Sequence, residues 1–124
     1  MIAPVERDLV QAFRRRVRHV VEEELEREGA DAERLRRQVV PAASQAVAHA
    51  RAAGRCGRAW LFGSFAWGGA TSRSDVDVLV EHCADPDELA AELWRVCDRP
   101  VHVVELDKAP ATLRERVLRE GVPI

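Results

Sequence analysis

The chain has 124 residues, 47% of them hydrophobic and 32% charged, with a formal net charge of −2 at pH 7. That length supports one domain with a real core, and the composition excludes a disordered chain. The near-neutral charge provides no basic field for holding nucleic acid, and no apolar run approaches the length of a membrane span.

Residues 5 to 28 read as one long helix. Val5, Leu9, Phe13, Val17, Val20 or Val21, and Leu25 recur every three or four positions, and Gly29 is placed to stop it. Its charges are divided. Arg14, Arg15, Arg16 and Arg18 precede Glu22, Glu23, Glu24, Glu26 and Glu28, against the preference of the helix dipole for acids first and bases last. Pairs such as Arg18–Glu22 and Glu23–Arg27 give i,i+4 relief. Such a helix either packs its apolar seam on its own domain or binds a partner, and antiparallel self-pairing would set the basic half against the acidic half. A homo- or hetero-oligomer is therefore expected. Asp31 can cap a second helix whose apolar face runs from Leu35 through Val39 and Ala46 to Ala50. Pro41 should kink or break it.

After a Gly54–Gly57 loop, Ala59 to Phe62 is an apolar and aromatic run suited to a strand buried on both faces. Gly63-Ser64 ends it. Glycine accepts positive φ, so the chain can turn sharply there and present N–H groups and a hydroxyl as an anion cradle. A short helix starting after Ser64 would add a favourable field for phosphate. Ten residues later, Ser74-Asp75-Val76-Asp77 opens a second strand. Strand alternation puts Asp75 and Asp77 on one face, about 7 Å apart at the backbone, with Val76, Val78 and Val80 on the other. Two such carboxylates can converge on one hard cation; without it they repel, and one tends to protonate.

Asp85-Pro86-Asp87-Glu88 is a strong helix start, with Leu89, Leu93 and Val96 as the buried stripe and Trp94 at its edge. Pro100 precedes a strand from Val101 to Leu106. Pro110 opens a last helix with Leu113, Val117 and Leu118 inward, ended by Gly121. Cys56, Cys83 and Cys97 are odd in number and lack paired metal spacing, which fits reduced thiols. With no signal peptide visible, a cytoplasmic location is expected. The element order predicts an α/β (α+β) fold: a small mixed sheet with helices packed on one face and an N-terminal helical extension. The open face carries Gly63, Ser64, Asp75 and Asp77. Residues 1–54 form the helical segment and residues 55–124 the sheet-bearing core, in a single compact domain overall.

Gly63-Ser64, ten residues, then Asp75-x-Asp77 resembles the signature of DNA polymerase β-like nucleotidyltransferases. The run Gly63-Ser64-Phe65-Ala66-x-Gly68 is similar to the minimal nucleotidyltransferase (MNT) branch. The resemblance covers about residue 57 to the C-terminus. It implies that Gly63 and Ser64 bind a nucleoside triphosphate, with ATP the expected one, and that Asp75 and Asp77 are catalytic and hold Mg²⁺ or Mn²⁺. A third carboxylate on a following strand completes the family's site. By that register His102 occupies its position, with Glu105 as a substitute if a bulge or early strand end brings it round. Trp67 stands where relatives commonly carry Arg, which removes one phosphate-side cation. The resemblance further implies nucleotidyl transfer to a hydroxyl on a partner protein, of the all-helical HEPN toxin type. Against this enzyme reading stand a weakened antitoxin that acts by masking its partner, and an oligomer subunit without nucleotide chemistry.

Overall fold

Residues 4–124 are described by the computed structural model, with side chains from Arg7 onward; Val5, the first position of the expected seam, has its side chain outside the described residues. The first helix, α1, runs unbroken over Pro4–Ala52, 49 residues. Two expectations are thereby corrected: the chain neither stops at Gly29 nor breaks at Pro41. Glycine costs a helix interior about 1 kcal/mol relative to alanine, too little to end a helix flanked by Ala30 and Ala32. Pro41 removes the N–H that would reach the Arg37 carbonyl, but both residues are exposed, so water can serve that carbonyl. The turns around it are held by burial of Val39, Ala43, Val47 and Ala50 against the sheet domain.

The sheet follows from the alternation already legible in the sequence. Strand β1 (Ala59–Phe62) leads into a one-turn helix, α2 (Ser64–Trp67). Strand β2 (Val76–Val80) follows, then helix α3 (Pro86–Cys97), strand β3 (Val101–Glu105) and helix α4 (Ala111–Glu120). A two-residue strand, β4 (Val122–Pro123), was not foreseen; it pairs antiparallel with the free edge of β1. The strand order is β3-β2-β1-β4, with β1–β2 antiparallel and β2–β3 parallel. Helix α3 supplies the crossover for the parallel pair. Its start is as expected: Asp85 Oδ1 accepts the Glu88 N–H at 3.0 Å, and Pro86 opens the first turn.

Two layers cover the sheet unequally. Leu61, Val76, Val78, Val80 and Val101 pack with α1 and α3 residues in the larger core. Trp60, Phe62 and Leu79 face the other way and meet Val117 and Leu113 of α4. Asp77 belongs to this second face, at the end that α4 leaves open. Two helix stripes differ from expectation. Val96 and Leu118 are exposed; Cys97, two turns on from Leu89, is buried instead, because the 89–93–97 spacing keeps one face toward the core. Among the described residues no helix is long and apolar enough to cross a membrane.

Candidate functional site: the turn after β1 and the acids of β2

Gly63 follows directly on Phe62, which pairs with Asp77 across the β1–β2 ladder. Its φ of 73° lies in the region that favours glycine, and a Cβ there would collide with Oδ2 of Asp77. The turn and the carboxylate are therefore in contact through a position that only glycine fills. Helix α2 starts at Ser64; Ala66 and Trp67 donate to the Gly63 carbonyl at 3.0 and 2.8 Å. In a helix the first N–H groups, here those of Ser64 and Phe65, have no partner within the helix and remain for a ligand or water. Ser64 also lines a cleft of about 310 Å³ between α1 and α2, with Arg36, Glu33, Trp67 and Gly68.

The loop between α2 and β2 is tied down before it delivers Asp75. Thr71 N–H donates to Ser74 Oγ at 2.8 Å, and Ser74 N–H to the Thr71 carbonyl at 3.0 Å. Arg99 donates from Nη1 to the carbonyls of Thr71 and Ser74 at 3.2 and 3.3 Å, and its guanidinium lies over the Phe65 ring. Val76 N–H donates to the Pro100 carbonyl at 2.9 Å. Arg99 thus fixes the loop from the connection that leads into β3. Sequence reasoning missed it, since a single Arg before Pro100 carries no motif; the only signal was a Gly-rich loop needing a donor to its carbonyls.

Asp75 and Asp77 meet at His102, which pairs with Asp77 in the parallel β2–β3 ladder. The imidazole stands between them, Nε2 at 3.7 Å from Asp75 Oδ2 and Nδ1 at 3.6 Å from Asp77 Oδ1. Both contacts are too long for hydrogen bonds, so the three groups surround a point rather than bonding to one another. Burial pushes the Asp77 carboxyl above its ordinary value. His102 opposes that shift and the Asp75 charge adds to it. Glu105 is placed elsewhere: three residues along β3 it pairs with Val80, forms an ion pair with Lys108 at 2.5 Å, and lines a separate hollow with Glu81 and Cys83. Trp67 turns toward α4, donating from Nε1 to the Glu120 carbonyl at 3.2 Å, with the Arg116 guanidinium stacked 3.7 Å from its ring centre.

Among the described residues, no group of three His, Cys, Asp or Glu side chains forms a metal cage by itself. Magnesium does not require one. It is commonly held by one or two carboxylates, with water and substrate phosphates filling the octahedron. A pair of carboxylates beside a turn with free N–H groups suits that mode.

Comparison with known proteins bears on the fold. The family model described as "Polymerase beta, Nucleotidyltransferase" matches residues 52–124. Among solved structures, one described as a minimal nucleotidyltransferase is 30% identical, with 76% of this chain and 96% of that one covered and a TM-score of 0.59. A toxin–antitoxin crystallised with AMP-PNP is 26% identical over 64% of this chain and 70% of that one, with a TM-score of 0.53. A mutant of the MntA–HpeT toxin–antitoxin, with two aspartates two positions apart changed to glutamate, is 25% identical over 65% of this chain and 70% of that one, with a TM-score of 0.54. The search of curated proteins gave no match.

Proposed function

The chain belongs to the minimal branch of the polymerase β-like nucleotidyltransferases, and from that premise we propose that it transfers a nucleoside monophosphate from a nucleoside triphosphate, ATP first among them, to a hydroxyl on a partner protein. The observation that carries the reading is the contact of Gly63 with Asp77, which joins a phosphate-cradling turn to a paired-carboxylate site. The first-turn N–H groups and the Ser64 hydroxyl bind the triphosphate oxygens. Asp75 and Asp77 would hold Mg²⁺ or Mn²⁺, which would supply charge neutralisation at the triphosphate. The acceptor oxygen bonds to the α-phosphorus, the bond to the β-phosphate oxygen breaks, and pyrophosphate leaves as the hydroxyl gives up its proton. His102 occupies the third position of the site. It can accept that proton at a ring nitrogen but supplies no negative charge.

The neighbours named as toxin–antitoxins support a toxin–antitoxin role; on our reading the acceptor is an all-helical partner of the HEPN type. A second reading rests on His102 itself: with an imidazole in place of a third acid, the protein masks its partner without modifying it. The experiment is incubation with labelled ATP, Mg²⁺ or Mn²⁺ and the co-purified partner, followed by mass spectrometry of both proteins. A nucleotide mass added to the partner supports transfer. A stable complex without added mass selects masking, and absence of metal-dependent nucleotide binding rejects both site assignments.

A further inference from the structure

The N-terminal half of α1 leaves the domain. Every residue from Arg7 to Asp31 is exposed, a span of about 37 Å at 1.5 Å per residue, and packing on the domain begins near Ala32 and Leu35. Along this free half Leu9, Val10, Phe13, Val17, Val20, Val21 and Leu25 are each 41–67% exposed, the seam anticipated from spacing but with nothing on it. An apolar seam of that length on a free helix is a surface for a partner.

The charges identify the partner. Among the described residues Arg14, Arg15, Arg16 and Arg18 form no ion pair, nor do Glu22, Glu26 and Glu28. Glu23 pairs with His19 at 3.0 Å and Glu24 with Arg27 at 3.5 Å, both on the open surface. We propose that this half of α1 pairs antiparallel with the same half of a second copy, about a two-fold axis near His19. Residues whose numbers sum to 38 then lie level. The basic block Arg14–Arg16 then lies level with the acidic block Glu22–Glu24 of the second copy, and this facing is made twice; Arg14 and Arg16 flank the seam on its two sides, while Arg15 turns to the far side of the helix and adds only to the charge of the block. Phe13 comes level with Leu25 and Val17 with Val21, so one register satisfies charge and apolar seam together. The basic-then-acidic order, unfavourable in the dipole of an isolated helix, is favourable between antiparallel helices.

The ends fit as well. In this register residue 4 lies level with residue 34, so the overlap finishes where α1 begins to pack on its own domain. Leu9 and Val10 of the second copy arrive level with Gly29 and Glu28. There the seam opens into a cavity of about 740 Å³, bounded by Leu25, Ala32, Leu35 and the 69–72 loop. The two sheet domains are carried at opposite ends of the pair and do not compete for space.

The test is the mass of the full chain by sedimentation velocity from 1 to about 50 µM, at low and physiological salt. A dimer is expected, weakening with salt. Reversing the basic cluster (Arg14→Glu, Arg15→Glu, Arg16→Glu) should give a monomer with unchanged helix content by circular dichroism. Reversing the acidic cluster (Glu22→Arg, Glu23→Arg, Glu24→Arg) should do the same. The two variants mixed, or the six changes in one chain, should restore the dimer. A parental chain that is monomeric throughout overturns the proposal, even if it binds a different protein. A dimer that survives both reversals overturns the antiparallel register. Should one reversal misfold, the other decides together with the six-change chain, since the register requires loss of the dimer in the first and its recovery in the second.

Discussion

Asp77 is half-buried and lies against Gly63, and its carboxyl is pushed up chiefly by that burial. In the metal-free protein the sign of the consequence is fixed. The folded state binds the proton more tightly than the unfolded state, so stability falls as pH rises from the unfolded carboxylate value, about 3.9, through the higher folded value, and the loss persists above it. Asp77→Asn removes the ionisable group while keeping the shape. At pH 7 without metal its melting temperature should equal or exceed that of the parent, and the gap should close below about pH 3.9. Calorimetry at three pH values checks this; a destabilised Asp77→Asn at pH 7 would show that the carboxylate charge is satisfied by the fold.

His102 gives the second prediction at this scale. If it occupies a carboxylate's place, His102→Asp should raise nucleotidyl transfer in Mg²⁺ several-fold, since an oxygen anion suits Mg²⁺ better than imidazole. Glu105→Ala should change little, because Glu105 pairs with Lys108 away from both aspartates. Unchanged transfer in the first variant with loss in the second would move the third role to Glu105. The aspartates and the turn were legible because alternation and a Gly-Ser pair are local signals. Arg99 was not, because its service to the 71–74 carbonyls depends on β3 lying beside that loop.

At the scale of elements, three strands and the last two long helices could be read from alternation, capping and breakers. The misreadings share a cause. Gly29 reads locally as a stop and Pro41 as a kink or break, yet Gly29 lies in an exposed stretch of continuing helix, and Pro41 faces solvent in a turn held by the burial of Val39 and Ala43. Strand β4 escaped because two residues ending in proline carry no alternation; it exists through the β1 edge. Val96 lost its inward place to Cys97 through a one-residue phase that hydrophobicity alone does not set. Pro41→Ala restores a donor to the Arg37 carbonyl and relieves an interior proline, worth about 3 kcal/mol, while giving back about 0.4–1 kcal/mol of unfolded-chain entropy. A net gain of roughly 2 kcal/mol is expected in urea unfolding with an unchanged m-value. Unchanged or reduced stability would mean that the helix has already relaxed around the proline.

At the scale of the molecule, the free half of α1 and the site at β1–β2 are distinct regions of one chain. The charged clusters at residues 14–16 and 22–24 lie before the point where α1 meets the domain, whereas the turn, the aspartates and His102 sit on the sheet. Ligand binding and association should therefore be separable. A ligand that binds only the folded state stabilises it by about 2.7 kcal/mol at one hundred times its dissociation constant, which raises the melting temperature of a domain this size by several degrees. Mg²⁺ with ATP should produce that rise in the parent and in the Arg14→Glu, Arg15→Glu, Arg16→Glu variant alike, and none in Asp77→Asn. The comparison belongs at one protein concentration, because a dimer makes its own melting temperature concentration-dependent. A nucleotide-induced rise that disappears in the charge-reversed variant would show that the site requires the second copy, and the two regions would then have to be treated as one.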